Sequence, residues 1–335
     1  MTEFFFQYGL FFAKAVTWVA AIAVVAMVLL SLLHQARTHS ADHLEVRDLN
    51  HRFRDLADSL KHALLTPDQW KKEVKAHKAA DKARAKGGGE AARPRVFVLD
   101  FHGDLQASAV ASLREEISAL LQVAGKGDEC LLRLESQGGV VHGYGLAASQ
   151  LRRVRDAGVT LTVAVDKVAA SGGYLMACVA DRILAAPFAV LGSIGVVGQL
   201  PNFNRLLKKH EIDFELHTAG EHKRTLTLFG ENTEAGREKF RETLEDAHAL
   251  FKDFIRQNRP AVDLAQVATG DHWFGTRALA LKLVDELKTS DDYLLERSKA
   301  CDLYELRYKR HRGLLERLGA SLAQASARAR ATFPF

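Results

Sequence analysis

Between residues 95 and 186 the chain alternates short, nearly continuous apolar runs with longer amphipathic stretches. This alternation restricts the fold more than any other feature of the sequence. Val96-Phe97-Val98-Leu99-Asp100-Phe101, Cys130-Leu131-Leu132-Arg133-Leu134, residues 159–165 and residues 182–186, the last stopped by Pro187, have the length and content of buried strands. Residues 107–124 and 143–157 repeat their apolar positions at helical spacing. Strands that are apolar on both faces need cover on both faces. The expectation is therefore an α/β domain built on mostly parallel strands. Further on, the pattern predicts a helix over 202–210, a strand over 213–218 and a long amphipathic helix over 234–258. A helix and a short strand follow Trp273 and Phe274, before residue 286.

The strand over 159–165 leads into Val168-Ala169-Ala170-Ser171-Gly172-Gly173-Tyr174, and residues 175–180 read as a short buried helix. Ser171 is thus expected on a tight strand-to-helix turn. Gly172 and Gly173 permit that turn and let a substrate approach the backbone. The first N–H groups of a helix lack intrahelical partners and can face a developing negative charge. A hydroxyl beside such donors supplies what acyl transfer needs, a nucleophile and part of an oxyanion hole. The turn departs from the G-x-S-x-G elbow, because Ala169 stands at the first glycine position. A packing turn without chemistry uses the same residues.

A serine nucleophile needs a base. Upstream of residue 250, His102, His142, His210, His217, His222 and His248 are candidates, and none stands in a signature. The other solution is a Ser-Lys dyad, for which Lys223 in Gly220-Glu221-His222-Lys223-Arg224 is a candidate, although most loop lysines are solvated. A lysine acts as a base only when burial or neighbouring cations lower its pKa. The glycine-rich stretch 191–198 lacks both the G-x-G-x-x-G spacing and the P-loop Lys-Ser/Thr pair. It reads as a strand edge approached closely by another segment, not as a nucleotide site.

The 335 residues suit one large or two modest domains, and 47% hydrophobic content suffices for a core and an anchor. The 46 basic and 41 acidic residues are too evenly mixed to indicate nucleic acid. Three cysteines, odd in number and far apart, give neither a disulfide framework nor metal-ligand spacing, and no cofactor is expected. Cys130 and Cys178 read as small buried hydrophobes.

Residues 1–33 read as a transmembrane anchor, since 15–33 form a nineteen-residue stretch without a charge. No charged n-region precedes Lys14 and no small-x-small site follows, which favours an uncleaved anchor over a signal peptide. Arg37, Arg47, Arg52 and Arg54 after the span place the downstream domain in the cytoplasm by the positive-inside rule. Residues 34–94 read as a charged helical region and linker, with a helix near 42–65, a Lys/Ala-rich stretch 71–86 and Gly87-Gly88-Gly89. The principal domain is expected over 95–300. A C-terminal strand and an Arg/Ala-rich helix over 313–330 follow in 301–335, as a surface for subunit contact.

Several motifs occur in order. Val168 to Tyr174, Ala180-Asp181-Arg182-Ile183, Gly192-Ser193-Ile194-Gly195-Val196 and Gly220-Glu221-His222-Lys223 together resemble the signal peptide peptidase A family of membrane-anchored serine proteases. The resemblance implies a ClpP/crotonase-like α/β domain and a homo-oligomeric ring, in which catalytic groups can be shared between subunits. It implies a serine endopeptidase of the bacterial inner membrane, its catalytic domain periplasmic, acting on remnant signal peptides or membrane-associated polypeptides. By position, Ser171 matches the nucleophile, Lys223 the general base and Ser193 the hydroxyl that orients the lysine. Gly138 and Gly139 match the glycine pair that completes the oxyanion hole with Gly172. The family has Asn-Ser-Pro-Gly-Gly at that loop and this chain has Glu135-Ser136-Gln137-Gly138-Gly139, without the stiffening proline. Two alternatives remain: a catalytically degenerate membrane-anchored scaffold of the same fold, and an acyl-CoA enzyme of crotonase type, in which Ser171 and Lys223 would have no role.

Overall fold

The computed structural model describes residues 9–24, 27, 42–86 and 93–310. The chain divides into two units, Met1–Leu44 with Lys309–Phe335, and Glu45–Tyr308. In the first unit residues 9–24 form a helix, α1, with Phe11, Trp18 and Ile22 exposed. Among the described residues no helix is long and apolar enough to cross a membrane. The remainder of the expected anchor (1–8, 25, 26 and 28–33) lies outside the described residues. So do Gly87-Gly88-Gly89 and the helix expected over 313–330.

The next described elements are β1 (His43–Asp48), α2 (Leu49–Leu64) and α3 (Pro67–Lys86). The helix expected from residue 42 starts at Leu49, because Asp48 caps it by accepting the His51 N–H at 2.9 Å. There follow β2 (Arg95–His102), α4 (Val110–Val123), β3 (Glu129–Glu135), α5 (Val141–Asp156), β4 (Thr160–Val165), β5 (Val168–Ala170) and α6 (Gly172–Ala177). Then come β6 (Arg182–Ala185), β7 (Val190–Gly192), α7 (Asn204–Lys209), α8 (Glu234–Asn258), α9 (Leu264–Val267), β8 (His272–Phe274) and α10 (Gly275–Ala280). The last described elements are β9 (Glu286–Leu287), α11 (Ser290–Arg297) and β10 (Asp302–Lys309).

Seven strands form one sheet in the order β1-β10-β2-β3-β4-β6-β9, parallel from β10 to β9. The register lines up Leu99, Leu132, Val163 and Ile183 in one row, all fully buried. α4 and α5 cover that face with buried Leu113, Ile117, Leu120 and Leu151. On the other face Val98, Leu131, Ala164 and Leu184 pack with Leu49 of α2 and with Tyr293 and Leu294 of α11. Each such leucine withdrawn from water stabilises the fold by about 1.5–3 kcal/mol, which is why these unbroken apolar runs settle as central parallel strands. β1 and β10 both belong to this sheet, so it draws on residues beyond the boundaries expected at 94/95 and 300/301.

A second, three-stranded sheet, β5-β7-β8, projects from the ends of β3 and β4. β5 runs parallel to β7, and Ala169 bridges to Ser136 just past β3. One expectation fails: residues 213–218 form no strand. The alternation of Phe214 and Leu216 resembles a strand face, but this stretch is exposed and pairs with no strand among the described residues. Phe214 instead lies against Phe229.

Candidate active site

Ser171 sits where β5 ends and α6 begins. Two sets of hydrogen bonds pin the strand that carries it. On one side Ser136 N–H donates to the Val168 carbonyl (2.8 Å) and Ala170 N–H to the Ser136 carbonyl (3.0 Å). On the other, Val190 N–H donates to the Lys167 carbonyl and Ser171 N–H to the Gly192 carbonyl, both at 2.8 Å. Ser171 itself has φ +51° and ψ −119°, a left-handed-side conformation that costs a serine of order 1–3 kcal/mol. The sequence lacks the elbow motif, yet the backbone makes the same kind of strained strand-to-helix turn. Strain of this size persists only where neighbouring contacts over-determine it, and here they do.

The turn after β3 lies against Ser171. A Cβ on Gly138 would stand 2.7 Å from the Gly172 nitrogen and 2.8 Å from the Ser171 Cβ, and Gly138 has φ +89°. One on Gly139 would stand 2.1 Å from the Leu105 carbonyl oxygen. Only glycines bring this backbone so close. The Gly138 N–H donates to the Ser136 hydroxyl at 3.0 Å, so it is not free to act as an oxyanion donor. The N–H groups of Gly139 and Gly172 have no hydrogen-bond partner among the described residues.

Ser171, Gly139 and Gly172 share the wall of a pocket of about 450 Å³. The rest of its lining is mostly apolar, with Val141 and Leu175, Val196 and Val197 after β7, and Leu250, Phe251 and Phe254 on α8; Tyr144 and Ser149 of α5 also line it. Such a cleft suits an apolar side chain next to a reacting carbonyl. None of His102, His142, His210, His217, His222 and His248 lines it.

Ser193 follows the residue whose carbonyl holds the Ser171 N–H. It is half-buried, has φ +50°, and its own N–H donates to the Asp271 carbonyl at 2.6 Å. The structure does not bring Lys223 to this group. Lys223 is exposed in a turn closed by its N–H on the Gly220 carbonyl (3.1 Å). It lines no wall of the Ser171 pocket, and no hydrogen bond or ion pair joins it to Ser171 or Ser193. Residues 211–224 around it are exposed throughout. All three cysteines are buried, and burial pushes the Cys178 thiol up to about 12, which leaves it unreactive near neutral pH.

Two family descriptions match the chain almost end to end: Peptidase family S49 N-terminal over residues 3–151 and Peptidase family S49 over residues 153–303. A probable protease SohB of Haemophilus influenzae is 48% identical over 329 residues, 95% of this chain and 93% of that relative. The chain belongs to peptidase family S49. The resemblance read from the motifs around Ser171, Ser193 and Lys223 therefore holds at the level of the family, and this family S49 chain is a protease. A probable protease SohB of Buchnera aphidicola subsp. Acyrthosiphon pisum is 60% identical over 230 residues, 69% of this chain and 68% of that one. Among solved structures, the 1510-N membrane-bound stomatin-specific protease aligns with a TM-score of 0.43 at 11% identity, over 62% of this chain and 86% of that one.

Two residues of the site escaped sequence reasoning. Ser136 stood out only through its neighbour Gln137, and Tyr144 looked like one more apolar position of a helix. In the structure both are buried and their hydroxyls are 2.5 Å apart; Ser136 accepts from the Gly138 N–H, and Tyr144 reaches that turn through Ser136.

Proposed function

We propose that this family S49 protease is a membrane-anchored, ClpP/crotonase-like serine endopeptidase with Ser171 as nucleophile and Lys223 as general base. The observation that carries the reading is the meeting of a strained Ser171 with two unpartnered N–H groups, Gly139 and Gly172, at the mouth of an apolar pocket. In this reading Lys223 takes the Ser171 proton, and Ser193 accepts a hydrogen bond from the lysine and orients it. The alkoxide attacks a peptide carbonyl, and the oxyanion is held by the Gly139 and Gly172 N–H groups. The amine leaves with the proton, and water releases the acyl group. The apolar pocket fits substrates such as remnant signal peptides or other membrane-associated segments, delivered to a chain held in the bacterial inner membrane by residues 1–33. The catalytic domain lies on the periplasmic side.

Lys223 must move to serve. The stretch of chain before it exposes Phe203, Ile212, Phe214 and Leu216 in the single chain. Packing of this segment in a homo-oligomeric ring is the event that covers those side chains and delivers a lysine to Ser171. The placement of Lys223 also favours one competing reading, the degenerate scaffold. Cleavage of a quenched apolar peptide by detergent-purified protein separates the two. The protease reading expects activity in the wild type and none in folded Ser171→Ala or Lys223→Ala. A wild type as inert as both variants supports the scaffold.

A further inference from the structure

Three hydrogen bonds run in one direction from the Gly138 turn to a fixed point outside the site. The Gly138 N–H donates to Ser136 Oγ at 3.0 Å. The Tyr144 hydroxyl donates to the Asp104 carbonyl at 2.9 Å. With that proton placed, the Ser136 hydroxyl is the donor in its 2.5 Å contact with Tyr144. The far end is anchored, because the Asp104 carboxylate accepts from the Ser108 N–H (2.8 Å) and the Ser108 hydroxyl (2.5 Å). Each oxygen in the chain accepts one bond and passes one on, so no buried polar group is left open. The Tyr144 ring meanwhile presses on the other half of the site: a Cβ on Gly172 would stand 2.4 Å from its Cγ. One fully buried residue thus touches both loops that carry the unpartnered N–H groups.

We infer that Tyr144, acting with Ser136, is a positioning residue that sets the spacing between the Gly139 and Gly172 N–H donors. It takes the place of the proline that this loop lacks. The inference rests on the serine-protease reading above. Tyr144 touches no reacting atom. Its hydroxyl fixes the Gly138-Gly139 turn through Ser136, and its ring fixes the depth of Gly172. Removing an oxyanion donor outright costs roughly 10²–10³ in kcat, and a donor left in place but loosened costs less.

The test measures peptide cleavage by the full chain, with inhibition by a peptidyl aldehyde, whose hemiacetal oxygen occupies the oxyanion position, and binding of the acyl-side product peptide. Tyr144→Phe is expected to lower kcat about tenfold with KM within twofold. It weakens the aldehyde by the same factor and leaves product affinity unchanged. Ser136→Ala does at least as much, and the double variant is no worse than the worse single. Gly103→Ala removes no hydroxyl, but its Cβ would stand 2.2 Å from Ser136 Oγ and 2.3 Å from the Tyr144 oxygen, so it wedges the chain open and gives the same kcat loss. Thermal melts confirm folding, and if Tyr144→Phe does not fold the other two variants decide. Wild-type kcat in the folded variants, a loss confined to KM, or multiplicative losses in the double variant each overturn the inference. Ser171→Ala is assayed beside them. If it is inactive while Tyr144→Phe matches wild type, only the inference fails. If it cleaves like wild type, the serine-protease reading fails and takes the inference with it.

Discussion

Replacing Gly139 by alanine tests the oxyanion geometry through a steric clash of known size. The added Cβ would stand 2.1 Å from the Leu105 carbonyl oxygen, 2.7 Å from its carbon and 2.8 Å from its Cα. The obstacle is backbone, so no side chain can swing aside. Real Cβ contacts do not fall below 3.0 Å, and the turn must retreat by about 0.9 Å. That movement strains the 2.9 Å bond from the Val140 N–H to the same Leu105 carbonyl and carries the Gly139 N–H off its aim. A misplacement of about 1 Å costs on the order of 10²-fold in rate, close to what losing a donor costs. The expectation is a fall of about 100-fold in kcat, or roughly 2.7 kcal/mol at the transition state. Overpacking adds about 1–3 kcal/mol of destabilisation. Initial rates on a quenched apolar peptide, with a thermal melt, give both numbers. Gly125→Ala is the control, because its Cβ meets nothing within 4 Å. A folded Gly139→Ala protein with kcat within twofold of wild type would refute the assignment of Gly139 as donor.

Leu175 stands on the pocket wall beside Ser171, so Leu175→Phe should cut kcat/KM about 10- to 100-fold for peptides with leucine or phenylalanine at the cleavage site while sparing alanine peptides; an unchanged preference would mean the pocket does not hold that side chain. Lys223→Arg should be as inactive as Lys223→Ala, because arginine stays charged, and an active arginine variant removes Lys223 from the mechanism. Burial pushes the Glu116 carboxyl up to about 7, with Asp100 adding to the rise; the Tyr308 N–H, donating at 2.8 Å, and Arg307 oppose it. Its folded pKa lies above the unfolded 4.5, so its contribution to stability is full below pH 4.5 and is lost as pH rises through about 7. Glu116→Gln should therefore melt with wild type near pH 4 and above it at pH 8, by up to about 3 kcal/mol; equal melting at both pH values would contradict this.

The central strands were legible because each is a short apolar run buried on both faces, as in 96–101 and 130–134. The long helix was legible over its whole length, since Glu234–Asn258 keeps helical spacing and Thr233 caps it by accepting the Gly236 N–H. β1 was not legible. What makes 43–48 a strand is the edge of β10, a partner far along the chain that no local pattern announces. The stretch 213–218 misled in the opposite way, offering strand alternation with no strand beside it. At the site, the Ser171 turn was visible in its glycines, whereas its strain and the contact with Gly138 arise from pairing across β3, β5 and β7. Tyr144 was hidden because a tyrosine at an apolar helix position has the same pattern whether or not its hydroxyl is used. The motif placed Lys223 as a base without saying which arrangement of the chain brings it to Ser171.

The most direct test of the account is to locate the covalent adduct. The full chain is treated with a fluorophosphonate and digested, and the modified residue is read by mass spectrometry alongside loss of peptidase activity. The account predicts one adduct, on Ser171, forming in step with inactivation and absent from Ser171→Ala. Inactivation with the adduct on another residue, or cleavage that continues after Ser171 is fully modified, would contradict it.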